Sequence, residues 1–584
     1  MTASTPPHPF SDNLWRDVQG LVRRLDARQT LWLSSFLASQ VAGNDGTAVA
    51  GATASKVLIA FGGETGNSES LARRLVEQAG ALGIAVELAD LAGLRVRQLA
   101  KRRHLLLICS THGDGDPPEP ARPFFDALMA ADAPALTQLR YAVLALGDSS
   151  YERFCATGQQ LDERLAALGA QRLAPRRDCD VDYESPARQW MEAVMQALPN
   201  SGASITIQTA PTAAATAPAA ALYSKRQPLT VEVLDNIRLS APHRRDPIHH
   251  LELTLDAPGF PLSPGDAVGV LADNPPALVA AVLDATGLSG EQPVPVEGTA
   301  MPLVQALRER CDLTIPGQRF LETWAAISGS GELAQLLATD TKRQRAFLRS
   351  HQVRDLLARH PGRPDADALV AALRPLQPRL YDVANSPTAV ADELHLTVQQ
   401  LRYEFAGREE IGIASDYLLQ LQPGDSLRIY PHPNPRFRLP AEPDAPLILV
   451  AAGTGIAPYR AFLQELAAGA RSHPCWLVFA EERFEEDFLY QVEWQQARRD
   501  GLLQRIDTVF HRDRPGHNPA AALLEHGDEL LRWLRDAGHL YLCGDQDLVA
   551  RCEHTLQTWF DRHSEPDFSW KTLNAAKRIH RNGY

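Results

Sequence analysis

Apolar runs and helical patterns alternate along two separate stretches of this chain. In the first, KVLIAFGG, HLLLICST and YAVLALGD are continuous apolar segments, while SESLARRLVEQAGALG and TGQQLDERLAALGA between them repeat apolar positions every three or four residues. Strands buried on both faces and joined by helices predict a doubly wound parallel sheet. From residue 441 onward APLILVAAGTG, CWLVFAEE and HLYLCGD renew the same alternation and predict a second such sheet. Between the two, LTVEVLDNIRL and HHLELTLD read as strands, a helix-rich region spans about 275–376, and ELHLTVQQLRYE and DSLRIYP return to strand. That order predicts a β-barrel carrying a helical insertion. RLYDVANSP, residues 379–387, also alternates like a strand.

Two stretches break these patterns. LDARQTLWLSSFLASQ reads as an amphipathic helix and is followed by a Gly/Ala/Thr tether, Ala42 to Ser55. NSGASITIQTAPTAAATAPAAAL, residues 200–222, is small, uncharged and Pro-containing, so it buries little apolar surface and predicts a flexible linker. The expected organisation is a multidomain α/β plus β-barrel chain. It comprises a helical segment and tether over 1–55, an α/β domain over 56–200, a linker over 201–226, a barrel over 227–440 with its insertion at 275–376, and a second α/β domain over 441–584.

Composition narrows the class. A chain of 584 residues with 45% hydrophobic and 22% charged residues is too long for one core. A formal net charge of -13 disfavours a nucleic-acid partner and suits a basic protein partner. MTASTPPHPFSDNLW lacks the basic start and apolar run of a secretory signal, and no run approaches the roughly 20 apolar residues of a membrane span, so a cytoplasmic location is expected. Seven cysteines without a CxxC pair fit neither a disulfide framework nor an iron–sulfur site, and no metal site is expected.

Three loops at strand ends carry candidate chemistry. In FGGETGNSES, the residues Gly63, Glu64, Thr65, Gly66, Asn67 and Ser68 bring backbone N–H groups and hydroxyls to a helix N-terminus, which suits a phosphate; a plain strand-to-helix turn with a Ser/Thr cap is the alternative. STHGDGDPPEP contributes Ser110, Thr111, His112, Gly113, Asp114 and Gly115, and LGDSSYERF contributes Leu146, Gly147, Asp148, Tyr151 and Phe154. Open sheets bind ligands at the carboxyl ends of their strands. His112 and Tyr151 suit the two faces of a planar ring, so phosphate plus ring points to a mononucleotide such as FMN. Asp114, Asp116, Glu119, Asp148 and Glu152 would surround the exposed ring edge, as a docking face or as a solubilising surface.

These motifs, in this order and spacing, resemble the diflavin reductases over nearly the whole chain. The resemblance implies a flavodoxin-like FMN domain, an FAD-binding barrel with a helical insertion, and a ferredoxin-reductase-like NADPH-binding domain. It implies that Arg379 pairs with the FAD pyrophosphate, that Tyr381 packs on the flavin, and that Leu380 and Asp382 flank them. Thr397, Val398 and Gln399, the adenine-stacking Tyr403, and the loop Gly412, Ile413, Ala414 and Ser415 complete that site, with Tyr584 covering the flavin. Gly453, Thr454, Gly455 and Pro458 in LILVAAGTGIAPYRAF resemble the family's nicotinamide-dinucleotide loop, and Cys543, Gly544 and Asp545 in HLYLCGD its nicotinamide-side strand end.

The chain departs from the family in two places. Asp382 stands where the family has serine, and Asn582 where its tail has aspartate, so Asp382, Cys543 and Asn582 are the expected catalytic cluster; drift in a tolerant site is the alternative. Around the 2′-phosphate, HRDRPGHNPAAAL keeps Arg512 but offers His511, Arg514 and His517 in place of the family's other donors. The resemblance implies electron flow from NADPH through FAD and FMN to a separate sirohaem and iron–sulfur protein that reduces sulfite to sulfide, and a homo-oligomer built through the N-terminal segment. A reductase serving another haem or iron–sulfur acceptor, and a non-catalytic flavin scaffold or redox sensor, are the competing expectations.

Overall fold

The computed structural model describes residues 56–198 except 65 and 114, and residues 223–584 except 297, 443, 470–472 and 564–567. The expected N-terminal helix and tether, most of the expected linker, and the candidates Thr65 and Asp114 lie outside the described residues.

The first sheet is wholly parallel. Its order is Val86–Asp90, Val57–Gly62, His104–Ser110 and Arg140–Leu146, with the short strands Gln171–Arg172 and Arg177–Cys179 both pairing the last of these. Because strand side chains alternate, the same strands feed two cores. Ile59, Leu106 and Leu144 pack under the helices Asn67–Ala81 and Glu184–Ala197, whereas Leu58, Leu105 and Val143 pack under Arg122–Met129 and Ala156–Ala167. Coverage on both faces explains the continuous apolar runs. The chain reverses direction across the sheet between Val57–Gly62 and His104–Ser110, so the loops after these strands open a crevice at their carboxyl ends.

The barrel is antiparallel, in the order Arg379–Asp382, Ala267–Leu271, Ser426–His432, Leu229–Arg238, Ile248–Thr254 and Glu393–Gln399. It closes where Val383 bridges Leu396 and the Ala384 amide donates to the His395 carbonyl at 2.8 Å. Val231, Leu251, Val268, Leu396 and Ile429 fill it. The insertion runs from the helix Pro276–Thr286 to Ala366–Ala372 around its own core, which includes Phe320 and Trp324. One feature differs from the alternation read in residues 379–387. Arg379 and Leu380 are both exposed, and Val383, Ala384, Asn385 and Ser386 are buried in succession, because the segment leaves an open wall and enters the barrel seam.

The third sheet is parallel, ordered Leu503–Phe510, Cys475–Glu481, Leu447–Ala452, His539–Gly544 and Ile579–Gly583, with a core on each face. The loop Gly453–Ile456 is itself a 3-10 turn, and the helix Ala457–Ala468 begins one residue before Pro458. Among the described residues no helix is long and apolar enough to cross a membrane.

Candidate functional site

The carboxyl ends of both parallel sheets and one wall of the barrel border a single cleft of about 2960 Å³. Gly63, Glu64, His112, Asp148 and Tyr151 reach it from the first sheet. Arg379, Tyr381, Asp382, Thr397, Gln399 and Tyr403 line it from the barrel side, and Thr454, Asp545, Asn582 and Tyr584 from the third sheet.

On the first wall, Ser68 Oγ is buried without a protein partner among the described residues, at the start of the helix Asn67–Ala81. A methyl group on Gly63 would lie 2.8 Å from this oxygen and 3.2 Å from Ser110 Oγ, so only glycine keeps the two hydroxyls open to a third party. The loop has the donors that a phosphate needs. Asn67 Oδ1 accepts from Tyr183 Oη at 3.1 Å. His112 Nδ1 lies 2.7 Å from Glu64 Oε2, and its backbone forms a tight pair with Asp116. Gly113 approaches Gln546, at the start of the helix Gln546–His563 of the third sheet. The Thr111 amide donates to the Leu146 carbonyl at 2.9 Å, and the Gly147 amide to the Cys179 carbonyl at 3.0 Å, which sets the two neighbouring loops side by side. Phe154 lies under the guanidinium of Arg345, 4.6 Å from its ring centroid.

One carboxylate of the expected acidic rim turns inward. Asp148 Oδ1 accepts from Arg374 Nη2 at 2.6 Å, and Asp180 Oδ1 lies 3.4 Å from the same nitrogen. Burial works to raise the Asp148 pKa, but Arg374 and the Ser150 amide outweigh it and hold the carboxyl below its ordinary value. Nothing in the local sequence marks Arg374, 226 residues away from Asp148.

On the barrel wall, Arg379 is exposed to the cleft and pairs with no carboxylate among the described residues. Gln400 Oε1 and Arg402 Nε, also on this wall, are buried without protein partners there. Gly412, Ile413, Ala414 and Ser415 open the helix Ile413–Gln420, and Ser415 Oγ accepts from the Leu401 amide at 3.0 Å. An unpaired guanidinium and a helix N-terminus on one wall suit a pyrophosphate. Tyr403 presents an exposed ring on the hairpin Arg402–Phe405/Arg408–Ile411. Thr397 Oγ1 is tied to Tyr490 Oη at 2.7 Å. Val398 turns its side chain into the barrel core, as strand alternation requires, and so offers the cleft none of it.

At the third sheet, Gly453, Thr454 and Gly455 pack on the neighbouring strand end: a methyl on Gly455 would sit 2.4 Å from the Cys543 carbonyl oxygen. Thr454 Oγ1 and Tyr584 Oη are 2.6 Å apart, and the Tyr584 amide donates to the Gly544 carbonyl at 3.2 Å. Asp545 Oδ1 caps the following helix through the Leu548 amide at 3.1 Å. Pro458 is buried. His511, Arg512 and His517 lie away from the cleft, beyond the strand Leu503–Phe510, which is three strands from His539–Gly544 and hence about 14 Å across the sheet. That span suits an extended dinucleotide laid over the strand ends.

The structure brings Asp382, Cys543 and Asn582 together. Strand pairing sets Cys543 beside Asn582, and the barrel delivers Asp382 from 161 residues away. Asn582 Nδ2 donates to Asp382 Oδ2 at 2.8 Å, and Cys543 Sγ lies 3.7 Å from the same oxygen. Burial pushes the Asp382 pKa up to about 6 against the opposing hydrogen bonds from Asn582 and Cys543. Burial also drives the Cys543 thiol well above its ordinary value, so it is a neutral donor here rather than a thiolate.

Sequence reasoning missed Glu481. Its carboxylate ends the apolar strand Cys475–Glu481, where CWLVFAEE did carry the signal. It meets Arg244 at 3.3 Å, beside the buried Asp487 and the partly exposed Asp246, in a set that joins barrel to sheet. Burial, with Asp487 adding, raises the Glu481 pKa to about 7 although Arg244 opposes it.

Comparison with known proteins agrees with this architecture. The family model described as Flavodoxin matches residues 59–190, the FAD binding domain model 222–417, and the Oxidoreductase NAD-binding domain model 449–554. The sulfite reductase (NADPH) flavoprotein alpha-component of Bacillus subtilis (strain 168) is 37% identical over 569 residues, covering 94% of this chain and 93% of that protein. The protein of the same name from Shewanella sp. (strain MR-4) is 39% identical over 560 residues, covering 94% and 92%. The one from Yersinia enterocolitica serotype O:8 / biotype 1B is 36% identical over 602 residues, covering 100% of each. With three domains in this order and relatives matching along the full length, the chain belongs to the sulfite reductase (NADPH) flavoprotein alpha-component family of diflavin reductases.

Proposed function

We propose that the chain accepts reducing equivalents from NADPH and delivers them, through FAD and then FMN, to a separate sirohaem and iron–sulfur protein that reduces sulfite to sulfide for cysteine biosynthesis. The observation that carries this reading is the single cleft shared by the ends of two parallel sheets and the barrel wall. The flavins, when bound, supply the conversion of a two-electron hydride into one-electron transfers.

The chain's own residues seat these groups. The Gly63–Ser68 loop holds the FMN phosphate, and His112, Tyr151 and the 146–154 loop hold its ring. Arg379, with the helix start at Gly412–Ser415, holds the FAD pyrophosphate, while Tyr381 packs on the flavin and Tyr403 on the adenine. The turn Gly453–Gly455 would hold the nicotinamide dinucleotide, with Tyr584 and Cys543 flanking the place its ring would take. Asp382 faces the positive charge that develops on the nicotinamide as hydride leaves, and Asn582 and Cys543 orient its carboxylate.

The reading includes the division at 56–200, 227–440 and 441–584, a linker over 201–226 that lets the FMN domain move between FAD and acceptor, assembly through 1–55, and a cytoplasmic location. Anaerobic mixing with NADPH after flavin reconstitution tests it. Bleaching of both flavins, with FAD and FMN recovered in equal amounts on extraction, is the expected result; a single kind of flavin, or none reduced, defeats it.

A further inference from the structure

We infer that Glu482 limits the chain's selectivity for NADPH over NADH by holding Arg512, and that Glu525 acts in the same sense on Arg514 and His517. The inference rests on the reading of the His511–His517 loop as the 2′-phosphate subsite. In the structure Arg512 Nε is 2.7 Å from Glu482 Oε2. Arg514 Nη2 and His517 Nδ1 each lie 3.7 Å from Glu525 Oε1. Both arginines of the loop and His517 therefore have a carboxylate beside them.

The pairing is built into the backbone. The Arg512 amide donates to the Glu482 carbonyl at 3.0 Å, and the His511 amide to the Glu481 carbonyl at 3.1 Å. Asp513 Oδ2 accepts from the Phe484 amide at 2.7 Å, which fastens the two strand-end loops together from the other side. These bonds keep the backbones of Glu482 and Arg512 side by side, so the two side chains stay within reach of each other. A 2′-phosphate arriving at Arg512 must share the guanidinium with Glu482 and bear the repulsion of a fixed negative charge. NADH carries no such group and escapes that repulsion.

Both side chains are partly exposed, 55% for Arg512 and 35% for Glu482, so solvent weakens the effect. The expected size is that of a surface charge contact, about fivefold in affinity. 2′,5′-ADP and ADP report the subsite without any turnover. By calorimetry on the flavin-loaded full chain, Glu482→Gln should bind 2′,5′-ADP about fivefold more tightly relative to ADP than wild type does. The kcat/KM ratio of NADPH to NADH should rise in step, and Arg512→Gln should abolish the gain in the double variant. An unchanged or weakened preference for 2′,5′-ADP in Glu482→Gln overturns the inference while leaving the nucleotide site intact. Failure of wild type to bind either nucleotide overturns it together with the reading on which it rests.

Discussion

Asp382→Asn tests the proposed catalytic cluster most sharply, because it should move rate and stability in opposite directions. The substitution keeps the shape and retains an oxygen to accept from Asn582 Nδ2, which lies 2.8 Å away in the native chain. It removes only the charge. The native carboxyl has its pKa raised from 3.8 to about 6, chiefly by burial. At 1.36 kcal/mol per unit, a shift of about two units corresponds to about 3 kcal/mol. The unfolded chain loses this proton near pH 3.8 and the native chain near 6, so the native state binds more protons in between. Stability therefore falls as pH rises through that window, and the full cost applies above pH 6. Asn should recover up to about 3 kcal/mol above pH 6 and little below pH 4. The rate should respond the other way. If the ionised carboxylate supports the developing nicotinamide charge, stopped-flow reduction of FAD by NADPH should fall about tenfold between pH 7 and pH 5 in wild type, following the ionised fraction with a midpoint near 6. In the variant it should be slower by roughly 10- to 100-fold at pH 8 and flat with pH. A variant that keeps the wild-type rate, or keeps the midpoint near 6, refutes the assignment.

Arg374→Gln removes the guanidinium shared by Asp148 and Asp180, and should cost about 2 kcal/mol, discounted for the partial exposure of the carboxylates. Small-angle scattering at low salt should show a larger radius of gyration, and an unchanged radius would mean the contact does not hold the modules together. Gly455→Ala puts a methyl 2.4 Å from the Cys543 carbonyl oxygen, so the KM for NADPH should rise at least about tenfold with a lower thermal midpoint; a KM within twofold of wild type would contradict the close packing. His250, whose pKa burial lowers from 6.5 to about 3 with Arg460 and His395 adding, stays neutral in the native state. The unfolded chain gains its proton as pH drops below 6.5, so the native state should lose about 2 kcal/mol between pH 6.5 and pH 5 in urea titrations, and His250→Gln should flatten that slope.

The two parallel sheets were legible because period-two strands covered on both faces leave continuous apolar runs, which few other structures produce. The Gly63–Ser68 loop was legible as a candidate phosphate site for a related reason: Gly63, Gly66 and Ser68 stand at one strand-to-helix junction, and backbone geometry there needs only local chemistry. Val398 was named because Thr397, Val398 and Gln399 matched the family as a unit, although the alternation of Leu394, Leu396 and Val398 already sets its side chain on the inward face. Asp148 looked like one of five similar acids on a rim; its distinct environment comes from Arg374 in the insertion, and no periodicity joins the two.

Local spacing was enough to specify the class of each module, the loops at the strand ends and the residue types able to meet phosphates and rings, since those depend on contacts within a few residues. Long-range placement set the rest. The meeting of Asp382 with Cys543 and Asn582, the clasp of Arg374 on Asp148, and the carboxylates set against Arg512 and His517 all join side chains from different elements. Their electrostatics depend on burial and on distances of a few ångströms, and a linear chain encodes neither until its sheets are stacked.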